Sequence, residues 1–123
     1  MTATTTMHIG ELAERTGLSL RTIRHYDEIG ILKPTGRTDG GFRLYTAEDE
    51  SRLLLIRRMK PLGYSLEETG QLLELIDALA EHPDDQTLRD RLELVRSEAS
   101  NRRDRLRNQL DAADEFLDQL RGR

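Results

Sequence analysis

The sequence contains no cysteine and no tryptophan, and aromatic residues make up only 4% of its 123 residues. Without cysteine the chain can form no disulfide, no thiolate metal site and no cysteine-based redox sensor. Charged residues account for 34% of the chain, and hydrophobic residues for 36%. This composition is typical of a charge-rich, mainly α-helical protein rather than of a β-sandwich or a barrel.

Long apolar runs are also missing from the sequence. No segment approaches the 18 or more apolar residues that a transmembrane helix needs, and the start of the chain lacks the charged and then apolar pattern of a signal peptide. We therefore expect a cytoplasmic protein without a membrane partner. Residues 1–7 are predicted to form a disordered N-terminus.

Signals for metal binding and catalysis are weak. The three histidines, His8, His25 and His82, are too scattered to indicate a zinc site. The sequence has no phosphate-binding loop and no serine–histidine–acid set in a recognisable context. We therefore predict no metal, no cofactor and no enzymatic activity. Two other classes of function are open, a DNA-binding regulator and a coiled-coil adaptor with no role at DNA.

Charge is distributed unevenly along the chain, whose formal net charge is −4. Residues 1–60 contain ten lysines and arginines against eight acidic residues, whereas residues 61–123 contain nine against fifteen. A local basic surface, and not the overall charge, decides whether a protein binds nucleic acid. A nucleic-acid site is therefore expected in the first half of the chain.

Two short helices joined by a tight turn are predicted near the N-terminus. Residues 8–17 space their apolar side chains as one buried helical face, and Gly17 is a typical helix stop. Ser19 is a good N-cap for the second helix, which ends near Gly30. The pair is a candidate helix-turn-helix.

The second helix has an inner and an outer face. At 100° per residue Leu20, Ile23 and Asp27 point inward, and we expect the Asp27 carboxylate to accept hydrogen bonds from a nearby arginine or a backbone amide. The outer face is rich in hydrogen-bond donors, namely Arg21, Thr22 and His25, with Arg24 and Tyr26 on its flanks. Such donors suit base edges and phosphates, although a plain solvated face is the alternative.

A small β-hairpin is predicted next, because Gly40-Gly41 marks a tight turn between short strand-like segments. Arg37 precedes this turn and Arg43 follows it, with Tyr45 on the same strand face as Arg43. A hairpin that displays arginine beside a recognition helix is typical of a winged helix-turn-helix.

Two further helices follow the hairpin. Thr46 with Asp49, and Ser65 with Glu68, each form the [ST]-x-x-[DE] signature of a helix start. A third basic cluster lies on the first of these helices and consists of Arg57, Arg58 and Lys60. Three basic clusters within about 40 residues indicate one phosphate-facing surface.

From Thr87 to Leu120 the sequence contains neither proline nor glycine, which predicts one helix of roughly 50 Å. Its apolar residues form two heptad stripes whose phase shifts across residues 100–105, a stutter. The stripe residues are Leu88, Leu92, Val95, Ala99, Leu106, Leu110, Ala113, Leu117 and Leu120. We predict that a second copy of the chain buries them, and the alternative is that the helix folds back on its own domain.

An arginine-rich run lies in the middle of this helix and contains Arg102, Arg103, Arg105 and Arg107. We interpret it as a surface patch that forms ion pairs with Glu98 and Asp104 at helical spacing. The alternative is that these arginines form an additional DNA contact, which we disfavour because a distal coiled coil points away from the operator.

The region from about His8 to Leu79 resembles the MerR family of bacterial transcription regulators. Three segments carry the resemblance, IGELAERTGLSLRTIRHYDEIGIL, GRTDGGFRLYTAED and IRRMKPLGYSLEE. The resemblance implies a mainly α protein with a winged helix-turn-helix and linker helices over residues 8–80. It also implies a long antiparallel coiled-coil dimerisation helix over residues 87–121.

The resemblance further implies a homodimer on a pseudo-palindromic promoter operator, with double-stranded DNA, its own second copy and RNA polymerase as candidate partners. Many members bend and untwist the promoter, a distortion that costs on the order of 1–6 kcal/mol. Arg21, Thr22 and Arg24 would lie at the major groove, and the residues that would hold the DNA backbone are Tyr26, Arg37, Arg43, Tyr45 and Arg57. The residues predicted to bind DNA are Ser19, Arg21, Thr22, Arg24, His25, Tyr26, Arg37, Arg43, Tyr45, Arg57 and Lys60. His25 replaces an aromatic residue of the family's usual Tyr-Tyr pair, so its contact is open.

Overall fold

A computed structural model of the chain describes residues 5–123. Its elements are β1 (Thr6–His8), α1 (Ile9–Thr16), α2 (Leu20–Glu28), β2 (Gly36–Arg37), β3 (Arg43–Thr46), α3 (Ala47–Met59), a 3-10 turn (Lys60–Leu62), α4 (Leu66–Glu81) and α5 (Gln86–Arg121). The predicted mainly α architecture with a small hairpin is confirmed. The chain divides into two compact units, one that ends at Leu73 and one that begins at Glu74.

Helices α1 and α2 form the predicted helix-turn-helix. Gly17 ends α1 with a φ of 72°, a left-handed conformation that glycine adopts at little steric cost. The Oγ of Ser19 accepts a hydrogen bond from the Thr22 amide at 3.1 Å, which caps the start of α2. Local signals in the sequence therefore determine where both helices meet the turn.

The sheet has three strands in the order β1-β3-β2, and both strand pairs are antiparallel. Strand β1 was not predicted, and it begins at Thr6, inside the segment 1–7 for which the sequence predicts disorder. It is ordered because Met7 is buried and pairs with Tyr45 on the central strand. Residues 1–4 of that segment lie outside the described residues.

The core of the first unit draws side chains from α1, α2, α3, α4 and the sheet. Its buried apolar residues are Met7, Leu12, Ile23, Tyr26, Leu32, Tyr45, Leu53, Ile56 and Leu73. Full burial of one large apolar side chain contributes about 1.5–3 kcal/mol to folding. Because α2 and β3 share this core, it sets the position of the second helix relative to the hairpin.

Reciprocal hydrogen bonds open both α3 and α4, as the sequence predicts. The Oγ1 of Thr46 accepts from the Asp49 amide at 3.2 Å, and the Oδ2 of Asp49 accepts from the Thr46 amide at 2.9 Å. Ser65 and Glu68 exchange the same two bonds at 3.1 and 3.0 Å. Each capping box satisfies amides that a helix start would otherwise leave unpaired.

Helix α5 runs without interruption over 36 residues, as the absence of proline and glycine predicts. The Oδ1 of Asp85 accepts from the Leu88 amide at 3.2 Å and caps its start. The half-buried residues lie in the first half of α5, namely Leu88, Leu92, Val95, Ala99 and Arg102. From Leu106 onward the apolar residues are exposed. Among the described helices, none combines the length and the hydropathy of a membrane span.

The stutter in α5 lies later than the sequence predicts. The Arg102 side chain is only 17% exposed, and it continues the stripe between Ala99 and Leu106. Neighbouring stripe residues are therefore separated by alternating steps of four and three residues as far as Leu106. The next step, from Leu106 to Leu110, is again four residues, and this second consecutive step of four is the stutter. At 100° per residue all stripe positions from Leu88 to Leu120 lie within about 80° of arc. The stutter thus keeps one continuous stripe on a straight helix.

Candidate nucleic-acid interface

Helix α2 presents an exposed basic face. Arg21, Arg24 and His25 are exposed, whereas Ile23 and Tyr26 of the same helix are buried. Within residues 5–123, neither the Arg21 nor the Arg24 guanidinium forms a hydrogen bond or an ion pair. Two arginines that are free on one helix face can bind base edges or phosphate oxygens.

Ser19 and Thr22 organise the first turn of α2. Besides accepting the Thr22 amide, the Ser19 hydroxyl lies 2.9 Å from the Thr22 hydroxyl. Ser19, predicted as a DNA-binding residue, therefore acts as the N-cap in the free protein. The Thr22 side chain remains partly exposed next to Arg21.

Asp27 links α2 to the hairpin through two ion pairs, which we call the Asp27 clamp. Arg43 donates from Nε to the Asp27 Oδ2 at 2.7 Å, and Arg37 donates from Nη2 to the same oxygen at 3.4 Å. The hydrogen bond to Asp27 is the main cause that raises the pKa of Arg43. The Arg43 side chain is 25% exposed and that of Arg37 is 48% exposed. The predicted arginine partner of Asp27 is therefore confirmed, and both hairpin arginines are tied to the second helix.

Tyr45 is a core residue and not a surface donor. Its side chain is 0% exposed, its burial raises the pKa of the phenol, and its Oη has no hydrogen-bond partner in the described part of the chain. Burial of the hydroxyl disfavours a contact of Tyr45 with the DNA backbone, and that contact stays a prediction. Tyr45 lies on the central strand opposite Met7, so the strand face that carries it is covered by the core.

Tyr26 is also part of the core, although it keeps a narrow exposed edge. Only 3% of the residue is accessible, and burial raises the pKa of its phenol. Its pairing with the DNA backbone stays a prediction, because the accessible edge lines the pocket described below.

Arg57 caps the end of α1. Its Nη1 donates to the Thr16 carbonyl at 2.8 Å, and so satisfies an oxygen that the helix end leaves without a partner. A Cβ at Gly17 would lie 3.4 Å from that nitrogen, so glycine leaves room for the guanidinium. Arg57, predicted as a backbone contact, thus has a structural partner in the free protein.

A pocket of about 290 Å³ lies beside α2, and we call it the basic pocket. It is lined by Arg21, Thr22, His25, Tyr26, Lys60 and Leu66. Lys60 comes from the 3-10 turn, so the fold brings one residue of the third basic cluster to the outer face of α2. Of the described residues that line it, none is acidic. The pocket is therefore suited to an anion.

Phe42 is a candidate contact that sequence reasoning did not select. It is 69% exposed and follows Gly41, whose φ is 83°. Thr38 closes the turn with two hydrogen bonds. Its carbonyl oxygen accepts from the Gly41 amide at 2.8 Å, and its Oγ1 accepts from the Phe42 amide at 3.1 Å. An aromatic side chain exposed on a basic hairpin can pack against sugars or groove edges. Its position directly after the glycine turn is the signal that could have identified it.

The chain matches a protein family and individual relatives. Residues 7–76 match the family model described as MerR HTH family regulatory protein. The nodulation protein NolA of Bradyrhizobium elkanii is 43% identical over 104 residues, which cover 81% of this chain and 45% of that protein. The HTH-type transcriptional regulator CueR of Salmonella typhimurium is 36% identical over 105 residues, 81% of this chain and 76% of that protein. The chain spans less than half the length of the NolA relatives.

Solved structures share the fold over most of the chain. HiNmlR, described as a MerR family regulator lacking the sensor domain and bound to promoter DNA, is 29% identical with a TM-score of 0.69 and covers 93% of this chain and 80% of its own. A MerR family transcriptional regulator from Listeria monocytogenes is 34% identical with a TM-score of 0.62 and the same coverage. The likeness therefore extends beyond the N-terminal unit.

Proposed function

The chain belongs to the MerR HTH family of regulatory proteins, and from that premise we propose that it is a homodimeric, sequence-specific DNA-binding regulator of transcription. It binds a pseudo-palindromic promoter operator and acts by bending and untwisting the DNA. One observation carries the proposal: Arg21 and Arg24 are exposed on α2 and have no bonded partner among residues 5–123, and they lie next to a basic hairpin that the Asp27 clamp holds in place.

In this proposal α2 is the recognition helix. The major groove is about 12 Å wide and admits an α-helix. Arg21 and Arg24 reach base edges, where an arginine can donate to the O6 and N7 of guanine together. Thr22, partly exposed beside them, contacts a base or a phosphate.

The hairpin and the basic pocket contact the DNA backbone. Arg37 and Arg43 present their remaining guanidinium nitrogens to phosphates on one side of α2, and Lys60 does so on the other. Arg57 is exposed and uses one of its nitrogens for Thr16, which leaves donors for a phosphate. Phosphate contacts of this kind fix the register of the protein on the duplex and carry no sequence information.

A second copy binds through α5. The exposed residues Leu106, Leu110, Leu117 and Leu120 occupy one face together with Ala113, and their exposure supports a partner rather than a helix that folds back. Pairing with its twin removes this stripe from water along a coiled coil. The two-fold symmetry of such a dimer matches a pseudo-palindromic operator.

Promoter DNA is the proposed partner because HiNmlR, which has the same fold, is described as bound to promoter DNA. RNA polymerase at the promoter is the proposed further partner, and the cytoplasm is the proposed location. Distortion of the operator costs on the order of 1–6 kcal/mol, which the additional backbone contacts of the hairpin offset.

A footprint on the DNA upstream of the protein's own gene, titrated with salt, tests this function. We expect protection of a promoter spacer with a hypersensitive position at its centre. Protection without hypersensitivity would contradict the distortion mechanism, and no protection even at low salt would contradict DNA binding. The double variant Arg21→Ala/Arg24→Ala should lose the footprint, whereas Arg91→Ala, which removes an exposed arginine from α5, should keep it.

A further inference from the structure

The basic pocket contains one side chain whose charge can change near neutral pH. His25 is exposed and lines the pocket with Arg21 and Tyr26 of α2 and with Lys60 of the 3-10 turn. Its ring centroid lies 6.5 Å from that of Tyr26, and Leu66 forms the apolar part of the wall. Histidine is the residue whose ordinary titration falls between pH 5 and 8.

We propose that the basic pocket binds a phosphate of the DNA backbone and that His25 takes up a proton when this phosphate binds. The inference rests on the proposed DNA-binding function and assigns His25 a role within it. A phosphate bound beside Arg21, His25 and Lys60 favours the charged imidazole, because an opposite charge within about 4–6 Å stabilises the protonated form. Binding and protonation are therefore coupled.

The other charged groups near His25 do not reverse the sign of this coupling. The acids of α2 near His25 are Asp27, which pairs with the hairpin arginines, and Glu28, and α4 carries Glu67 and Glu68 after Leu66; none of the four lines the pocket. Arg24, the preceding residue, adds positive charge to the same surface. The 3-10 turn contributes Lys60 to the pocket, and α4 contributes the uncharged Leu66.

The coupling predicts that DNA affinity rises as the pH falls. Protonated His25 donates from the imidazolium to a phosphate oxygen, a charge-assisted hydrogen bond that neutral imidazole cannot match. We expect the wild-type protein to bind about fivefold more tightly at about pH 6 than at about pH 8. A duplex of mixed sequence is a suitable probe, since phosphate contacts are independent of sequence.

Fluorescence anisotropy with this duplex at constant low ionic strength tests the inference. His25→Gln should remove most of the pH dependence, and His25→Lys should bind tightly at both pH values. His82→Gln, which removes a histidine from the turn before α5, is the matched control and should behave like the wild type. Calorimetry in two buffers that differ in ionisation enthalpy should show proton uptake by the wild type and by His82→Gln, but not by His25→Gln.

The outcomes separate this inference from the function on which it rests. Unchanged pH dependence and proton uptake in His25→Gln would overturn the role of His25 and leave DNA binding intact. A wild-type protein that does not bind the duplex at low salt would overturn the proposed function itself. A response of the His25 imidazole NMR signals to inorganic phosphate without DNA, equal to the response to the duplex, would assign the pocket to a free anion and overturn the DNA-phosphate assignment.

Discussion

The unit that ends at Leu73 and helix α5 use their apolar residues in opposite ways. The first unit buries Leu12, Ile23 and Leu53 completely, whereas α5, all of whose residues the structure describes, buries none of its residues. An exposed leucine stripe gains nothing from the hydrophobic effect until a partner covers it. The first unit therefore has a core of its own, whereas α5 needs association to gain the same stabilisation.

The largest effect is expected for a charge in the exposed stripe. Leu110→Asp places one carboxylate from each copy in the proposed dimer interface. We expect the variant to weaken association by on the order of 5 kcal/mol per dimer. Analytical ultracentrifugation should show a monomer. Leu94→Asp makes the same change off the stripe, on a residue that is also exposed, and should remain a dimer. Equal dissociation of both variants would contradict the assigned face.

The core of the first unit should give the next largest effect. Leu12→Ala removes a fully buried side chain and should lower the free energy of unfolding by about 2–5 kcal/mol. The matched truncation Leu94→Ala in α5 should change the free energy of unfolding by less than about 0.5 kcal/mol. Urea unfolding followed by circular dichroism measures both. Similar losses in the two variants would contradict the difference in burial between the first unit and α5.

Arg24→Ala tests the exposed face of α2. If Arg24 reads a base, the variant should lose about 1–3 kcal/mol of affinity for the operator and less for random DNA. Arg91→Ala on α5 is the control, and gel-shift titrations on both DNAs provide the measurement. A loss of the same size on both DNAs would show that Arg24 contacts phosphate instead.

Arg43→Ala should act differently from Arg24→Ala. It should weaken binding to operator and random DNA alike, and should lower the slope of log affinity against log salt by about one. Titrations over a range of salt concentrations measure the slope. An effect confined to the operator would contradict a backbone role for Arg43.

The smallest effect is expected for Tyr45→Phe. The variant removes a buried hydroxyl that has no partner among the described residues, so it should be neutral or should raise the free energy of unfolding by up to about 1 kcal/mol. Its DNA affinity should equal that of the wild type, because Tyr45 is inaccessible. A loss of affinity would instead support the predicted contact of Tyr45 with the DNA backbone.

Helix boundaries in this chain were predictable because they depend on neighbouring residues. Ser19 caps α2 by accepting from the Thr22 amide, and Thr46 caps α3 by accepting from the Asp49 amide, so four consecutive residues contain the whole signal. The inward position of Asp27 was predictable from helical periodicity for the same reason.

The features that were missed depend on residues distant in the sequence. Strand β1 is ordered only because Met7 meets Tyr45 on the central strand, 38 positions further on. Alternation along β3 puts Arg43 and Tyr45 on one face, but it does not tell where the core ends along that face. The pairing of Arg57 with Thr16 spans 41 positions and leaves no local pattern.

The Asp27 clamp has a consequence for how the proposed regulator meets DNA. In the free protein the Asp27 carboxylate accepts hydrogen bonds from Arg37 and Arg43, as a DNA phosphate would. It therefore serves as a surrogate anion within the same chain. The hairpin is thereby preorganised, and less conformational entropy is lost when DNA arrives. The two arginines are held to different degrees. Arg37, whose Nη2 lies 3.4 Å from the Asp27 Oδ2 and whose side chain is half exposed, is easier to transfer to a phosphate than Arg43, whose Nε lies 2.7 Å from that oxygen. In the proposed complex Arg37 therefore moves to a DNA phosphate, whereas Arg43 stays on Asp27 through its Nε and turns its other guanidinium nitrogens to a phosphate.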